Sequence, residues 1–215
     1  MVRFTIGGQI YKAVLPTLKL EAFDLATVLH GPLADQKYVF VGGLKVKDGR
    51  NLEKTVQEIV KEIPASERKG VKLNHDKIGD VAVHLIQPDQ TPDEDLKKNL
   101  GNNHIYVAFR DDAILFAVGE HGMDALKQAL GAMGSRADRA TAPVQLEMSI
   151  ARLAPLAKED QEKLQEAAKK VFTGDAKGKD RVRVSLQGGD TLRLRLEANA
   201  EIMKLIAEVA PIPGG

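Results

Sequence analysis

One stretch of this sequence, residues 104–133, is apolar in a way that restricts where it can lie in a fold. It reads as a strand, a two-residue turn at Asp111-Asp112, a second strand and a helix. A strand with one solvated face alternates apolar and polar residues, whereas this hairpin is apolar on both faces. We therefore predict that it lies at the centre of a sheet, with cover above and below. The pairs expected across its turn are Phe109–Ile114, Val107–Phe116, Ile105–Val118, Tyr106–Ala117 and Ala108–Leu115.

The same plan of strand, turn, strand and helix occurs again 77 residues later. Strand register decides which face a side chain occupies, so the apolar positions restrict the length of the turn. A two-residue loop would set Val184 against Arg193, whereas a three-residue loop at 188–190 sets apolar residues against each other. The three-residue loop predicts an inward face of Leu186–Leu192, Val184–Leu194 and Val182–Leu196, and an outer face with Arg183 opposite Arg195 and Ser185 opposite Arg193.

Hairpins that lead into helices predict an α+β fold. We expect an antiparallel-dominated β-sheet built from repeated β-hairpin and helix units, with the helices packed mainly on one face. Residues 71–87 read as a further hairpin and residues 21–30 as a short helix. Small polar residues at 135–143 read as a linker between a first α+β part, 1–134, and a second, 144–215, which we expect to pack together as one globular unit.

Charge and composition restrict the classes of partner. The chain has 31 basic and 30 acidic residues, and a net charge of +1 provides no electrostatic basis for binding nucleic acid or an anionic membrane. Cysteine is absent, which excludes disulfides and thiolate metal sites. No apolar run is long enough to form a transmembrane segment. The chain begins directly on a predicted strand without a signal peptide, so we interpret its start as trimmed.

No motif specifies a reaction or a cofactor, and we predict no cofactor. The glycine pairs at 7-8, 42-43 and 188-189 lack the flanking residues of a phosphate loop and are interpreted as turns or bulges. Adjacent carboxylates at Asp111-Asp112 suit a tight turn better than a calcium site, which needs six or more oxygens. We therefore assign no metal ligand.

The five histidines show no metal-ligand spacing. His104 and His121 bracket the central hairpin at the same end, and a site there would need a third ligand that the sequence does not supply. His75-Asp76 could form half of an acid-base pair, although turn chemistry explains it more simply. His84 lies in the middle of a strand, where a hydrogen-bonded or solvent-facing histidine is the simpler interpretation.

One cluster of charge is the candidate ligand-binding site. Arginines crowded on one sheet face can bind phosphate, a glycan sulfate or an acidic protein. The alternative is a solvated face partnered by Asp180, Glu197 and the acidic helix at 159–166. The candidate residues are Arg181, Arg183, Arg193 and Arg195.

Several turn segments carry a resemblance to a known group of proteins. They are residues 106–112 (YVAFRDD) with 119–122 (GEHG), 43–49 (GLKVKDG) and 188–190 (GGD). The chain resembles a group of exported bacterial proteins of planctomycete type that contain a domain of unknown function. These proteins repeat a hairpin of this kind leading into a helix. The resemblance implies export to the periplasm or cell envelope, while a cytoplasmic location stays open. It implies no catalytic residue, because the family has no assigned reaction.

The leading hypothesis is a non-enzymatic structural or binding module of an exported bacterial protein. It rests on a substantial predicted core that accompanies no catalytic constellation. One alternative is a carrier of an apolar or lipid-like small molecule between sheet and helices, suggested by the surplus apolar residues of 38–41 and 105–118. The other is a metal-dependent or acid-base enzyme that uses His104, His121 or His75 with Asp76.

Overall fold

The computed structural model describes residues 24–133, 144–157, 162–188 and 190–209, together with 12, 15–17 and 19. The chain divides into two compact units, residues 1–135 and 136–215, and each is described by itself. The predicted linker, 135–143, lies outside the described residues.

The first unit is built on a six-stranded antiparallel sheet with the spatial order β1-β2-β6-β5-β4-β3. The hairpin β5–β6 lies at its centre, and all five pairs predicted across the Asp111-Asp112 turn are present. The central position expected from its apolar faces is therefore confirmed. The strands are β1 (Leu25–His30), β2 (Val39–Lys45), β3 (Val71–Ile78), β4 (Val81–Ile86), β5 (Ile105–Phe109) and β6 (Ala113–Val118).

The described helices of this unit are α1 (Gly49–Glu62), α2 (Glu94–Leu100) and α3 (Gly122–Ala132). On one face of the sheet, α3 packs Leu126 against a core that includes Ala108. On the other face, α1 packs Leu52 against Phe109, which alternation along β5 directs to the opposite side. The predicted α+β class with antiparallel sheets is confirmed. The larger core lies under α3 and a smaller one lies under α1, so the helices pack mainly on one face, as predicted.

Residues 21–30, predicted as a short helix, contain the edge strand β1. Each residue of β1 pairs with one of β2, from Leu25 opposite Leu44 to His30 opposite Val39. The prediction of a helix is therefore wrong. The β-branched Thr27 and Val28 favour an extended backbone, and ladder pairing outweighs the apolar spacing that suggested a helix.

The second unit carries a three-stranded antiparallel sheet with the order β7-β8-β9. Its buried helix residues Ala154, Ala167, Ala168 and Leu205 pack against one another in a small core of their own. The elements are β7 (Val144–Ser149), α4 (Ile150–Leu153), a 3₁₀ turn at Ala154–Leu156, α5 (Glu162–Val171), a 3₁₀ turn at Gly174–Ala176, β8 (Arg181–Gln187), β9 (Arg193–Ala198) and α6 (Ala200–Val209).

The hairpin β8–β9 pairs in a different register from the predicted one. Val184 lies opposite Leu196 instead of Leu194, so the loop spans 188–192. The error is a shift of two residues, and apolar side chains still face apolar side chains as the parity argument required. A shift of two residues does not change which face of the sheet a side chain occupies. The predicted faces are therefore confirmed, although the predicted register is wrong.

The apolar side of this sheet is not buried as predicted. Leu192, Leu194 and Leu196 were expected to face inward but are 74%, 72% and 68% exposed. Val144 and Leu146 on β7 are also at least half exposed. The prediction of an inward face failed because the helices of this unit bury their apolar residues against one another. We call the exposed surface formed by these five residues the leucine face.

Candidate functional site

The four candidate arginines lie on one surface of the three-stranded sheet, on the side opposite the leucine face. Alternate residues of a strand share a face, and register places Arg195 of β9 opposite Ser185 of β8. The side chains of Arg183 and Arg195 are 48% and 75% exposed. The structure therefore places the predicted site residues on one surface, with Arg181 opposite Ser149 at one end of β8 and Arg193 opposite Gln187 at the other. We call this surface the arginine face: Arg181, Arg183, Arg193 and Arg195.

Two glutamates lie among these arginines. Glu147 of β7 accepts a hydrogen bond from Arg183 Nη2 at 2.8 Å and another from Arg181. A carboxylate oxygen of Glu197 lies 2.6 Å from Arg195 Nη2, and its other oxygen lies 3.7 Å from Arg183. Hydrogen bonds from Arg183 and then Arg181 lower the pKa of Glu147, and Glu147 raises the pKa of Arg183. Such exposed pairs add little stability, but they orient the guanidinium groups.

The register of β8–β9 changes the neighbours of Arg183. The predicted position of Arg195 opposite Arg183 is wrong, because Arg183 lies opposite Glu197. This register replaces a like-charge pair with an opposite-charge pair, which favours it over the predicted one. Glu197 was among the partners expected for a solvated face, whereas Glu147 was missed because it belongs to a strand 36 residues away.

Asp180, also expected to partner the arginines, is buried and has another role. Its carboxylate accepts hydrogen bonds from the Ser149 hydroxyl and, at 3.1 Å, from the backbone N–H of Ala151. Asp180 is only 5% exposed, so these donors compensate its burial. It supports the start of α4 and does not contribute to the charge of the arginine face.

The arginine face carries more positive than negative charge. Four arginines and two glutamates leave an excess of two positive charges on this surface. A depression of about 520 Å³ lies here, and the residues that line it include Glu147, Arg181, Arg183 and Glu197. Chemically, the arrangement can accept a carboxylate, sulfate or phosphate group, because guanidinium forks match these oxyanions.

His104 has neighbours that disfavour a metal or a proton. The amide nitrogen of Gln87, a donor, lies 3.1 Å from His104 Nε2, which must therefore accept. Burial lowers the pKa of His104, and the nearby charges of Lys72 and His75 lower it further. The imidazole is thus held neutral beside the ring of Tyr106, 6.5 Å away between centroids.

His121 and His104, which bracket the hairpin, form hydrogen bonds with different residues. His121 Nε2 lies 2.8 Å from Asp35 Oδ2. Lys37 Nζ lies 3.4 Å from the same carboxylate and 2.6 Å from Glu120. The hydrogen bond to His121 is the largest of the effects that lower the pKa of Asp35 to about 2. Nothing in the sequence joined Asp35 to His121, which are 86 positions apart.

A depression of about 420 Å³ lies beside this pair and offers no hydroxyl or thiol nucleophile. The residues that line it include His30, Asp35, His121, Asp124 and Gln128, and none of its lining residues is serine, threonine or cysteine. In the part of the chain that the structure describes, no group of three or more histidine, aspartate or glutamate side chains is placed to hold a metal ion.

The remaining candidates serve the fold. Asp76 lies within β3, where the register shifts between Lys72 and Asp76, so the interpretation of His75-Asp76 as a turn is wrong. Its carboxylate accepts a hydrogen bond from the backbone N–H of Lys77 at 2.7 Å. His84 is buried and has both ring nitrogens occupied. Its Nε2 lies 3.0 Å from Glu53, and its Nδ1 accepts the backbone N–H of Asn74 at 3.1 Å. A histidine with both nitrogens bonded internally joins α1 to the sheet and has no position left for a substrate proton.

These features define an α+β protein with two antiparallel sheets and a charged sheet surface. Comparison of the chain with models of protein families, with curated proteins and with solved structures found no match. The resemblance to exported proteins of planctomycete type therefore stays a prediction. Among the described residues, no helix has both the length and the apolar character needed to cross a bilayer.

Proposed function

We propose that the chain is a non-enzymatic binding module that receives an acidic protein segment on the arginine face. The observation that carries the proposal is the excess of arginine over glutamate on this exposed surface. Glu147 already accepts hydrogen bonds from Arg181 and Arg183, so these guanidinium groups are oriented for carboxylates. A partner with several carboxylates would exchange with these internal glutamates and also engage Arg193 and Arg195.

The other candidate functions have less support. A catalytic site of the hydrolase type needs a nucleophile, an acid-base group and a group that orients it. The pair His121–Asp35 supplies only the last two, because no serine, threonine or cysteine lines the depression beside it. A carrier needs apolar space between sheet and helix. Ala108, Ala117 and Leu126, which line that layer in the first unit, are 0% exposed and packed together. This packing favours a binding module over a carrier.

Binding of a fluorescent oligoglutamate peptide, followed by anisotropy at low ionic strength, tests the proposal. Arg193→Ala and Arg195→Ala are each expected to weaken binding by roughly threefold to tenfold, which corresponds to about 1 kcal/mol for an exposed ion pair. Glu147→Gln is expected to tighten binding, because it removes the internal competitor of Arg181 and Arg183. A general effect of net charge predicts the same two signs, so a charge substitution away from the arginine face is the necessary control.

Lys127→Ala is the matched control, because it removes one positive charge from a half-exposed side chain of the first unit. It should leave binding unchanged, and added salt should weaken binding of the wild type by screening. Equal effects of Lys127→Ala and Arg195→Ala would contradict the proposal. A sulfated oligosaccharide of equal charge serves as a second probe, and tighter binding to it would assign the surface to a glycan instead.

The proposed module would act outside the cytoplasm, as expected from the resemblance to exported proteins. Cell fractionation of the native host with an antibody against this chain tests that location. Recovery with the periplasmic or envelope fraction is the expected result, and recovery with the cytoplasm would contradict it.

A further inference from the structure

The leucine face is an apolar surface without charged or hydrogen-bonding side chains across three strands. The register places Val184 of β8 between Leu146 of β7 and Leu196 of β9 on this side. The same side carries only valine, leucine, methionine and alanine at the paired positions 144–148, 182–186 and 194–198. An exposed patch of this kind on a folded protein marks an interaction site.

The exposed area of this surface is sufficient for an interface between two copies. The exposed fractions of Val144, Leu146, Leu192, Leu194 and Leu196 amount to on the order of 500 Å² of apolar surface in each copy. Pairing of two such faces would therefore bury about 1,000 Å² from these side chains alone, which reaches the lower limit for a specific interface. Partly buried neighbours on the same strands would add to this area.

The charges determine which side of the sheet can meet its own copy. The arginine face has an excess of two positive charges and would repel a second arginine face. The leucine face carries no charge and is complementary to itself, since aligned sheets pack their apolar side chains about 10 Å apart. Of the two faces of this sheet, the leucine face is therefore the one that favours self-association.

Two other occupants fit this surface less well. A lipid surface is usually met by leucines with basic residues alongside them, whereas here the arginines lie on the opposite side of the sheet. A different protein would be expected to find aromatic or polar anchors, which the leucine face lacks. Homodimer interfaces are more apolar than interfaces between different proteins, which matches the composition of this face.

We propose that two copies of this chain associate through the leucine face, sheet against sheet, around a two-fold axis. Each copy would contribute the same residues, as in an isologous interface. The two sheets form the layers of a sandwich, and both arginine faces point outward. The dimer does not require that the arginine face bind anything, so the two proposals stand or fall separately.

Sedimentation analysis of the full chain over a range of concentrations tests the dimer. The wild type is expected to approach twice its 23.4 kDa mass as concentration rises. Leu194→Glu is expected to remain monomeric, with the dissociation constant raised at least a hundredfold, because it places two like charges in the interface. The side chain is 72% exposed, so the monomer should keep its fold, which circular dichroism checks.

Val28→Glu is the matched control, since it places the same charge at a 58% exposed valine of the first unit and should leave the dimer intact. Because the chain has no cysteine, a single Leu194→Cys substitution provides a second test. A bifunctional thiol reagent should join two such chains covalently, and a Val28→Cys chain should stay single. A monomer at all concentrations, a dimer unaffected by Leu194→Glu, or wild-type binding to phosphatidylcholine vesicles instead of pairing would each overturn the proposal.

Discussion

The hairpins β5–β6 and β8–β9 start from one plan and end with opposite exposure. In the first unit Ala108 and Ala117 of the hairpin are 0% exposed. In the second unit Leu194 is 72% exposed although it is the more apolar residue. The comparison shows that apolar alternation identifies which residues share a face, whereas burial depends on whether another element covers that face.

The loop between the strands accounts for the difference. The backbone hydrogen bond from Arg110 to Ala113 closes the first hairpin around two residues, whereas the second hairpin leaves five between its last paired residues. An even and an odd loop differ in parity, so the second strand changes facing relative to the first when the two sequences are overlaid. Tyr106 and Ala117 occupy one covered face, but the residues 77 positions later, Arg183 and Leu194, lie on opposite faces. No face of β8–β9 therefore reproduces the layer on which α3 packs.

The helices after the hairpins give the largest test of this comparison. Leu126 of α3 is 0% exposed, and Met203, its counterpart 77 positions later in α6, is 62% exposed. Leu126→Ala is expected to lower the free energy of unfolding by about 3 kcal/mol through lost burial and a cavity. Met203→Ala should change it by less than about 0.5 kcal/mol. Urea unfolding followed by circular dichroism measures both, and equal losses would remove the distinction between the units.

A second test concerns the close approach of β2 to the central hairpin, which has no counterpart at the edge strand β9. The ring of Phe116 lies over Gly42, where a Cβ would overlap it. Gly42→Ala is therefore expected to destabilise the protein by about 1–3 kcal/mol. Thermal unfolding measures the effect, and Phe116→Leu should relieve part of it in the double variant.

Gly43→Ala is the matched control for this substitution. A Cβ on Gly43 would meet only Leu115, at 3.8 Å, an ordinary contact. It should be neutral or stabilise the strand by up to about 1 kcal/mol, since glycine loses more entropy on folding. Equal destabilisation by both substitutions would mean that the strand itself, and not the Phe116 ring, requires glycine. The pair lies in a regular strand, which corrects its interpretation as a turn or bulge.

Period-two patterns explain which parts of the fold could be predicted. The register of β5–β6 was predictable because a two-residue turn leaves no freedom. For β8–β9 the apolar pattern required Val184 to face an apolar residue, but Leu194 and Leu196 satisfy it equally. The true loop is longer than its glycines and aspartate suggested, and only the pairing of Arg183 with Glu197 favours the observed choice.

The arginine face, too, could be predicted from the sequence only in part. Alternation alone predicted that the four arginines share one surface, and the structure places them there. Glu147 could not be assigned to them, because strand order across the sheet depends on long-range pairing. The alternating segment 144–149 did contain the signal, since Glu147 falls on the polar side of a strand with Val144 and Leu146 on the other. Exposure of the leucine face depends on helix placement, for which alternation carries no information.

The smallest expected effect is on how strongly stability depends on acid near each hairpin. The first test concerns Asp35. Its pKa is lowered from 3.8 to about 2, mainly by the hydrogen bond with His121. Because the unfolded chain takes up this proton at higher pH, the stability that Asp35 contributes is present above about pH 4 and is lost as pH falls towards about 2. Urea midpoints measured across this window should differ between wild type and Asp35→Asn at pH 6 and converge at low pH. His121→Gln should reproduce part of the loss, since it removes the main cause.

Glu147 provides the corresponding test beside the second hairpin. Its pKa is also lowered, first by Arg183, so Glu147→Gln should likewise lose its effect on stability as pH falls. Both carboxylates are accessible to solvent, and screening by salt should reduce both effects. An Asp35→Asn difference that persists unchanged below pH 2 would show that the side chain acts through shape and not charge. In that case protonation would change the stability contributed by Glu147 in the second unit but not that contributed by Asp35 in the first.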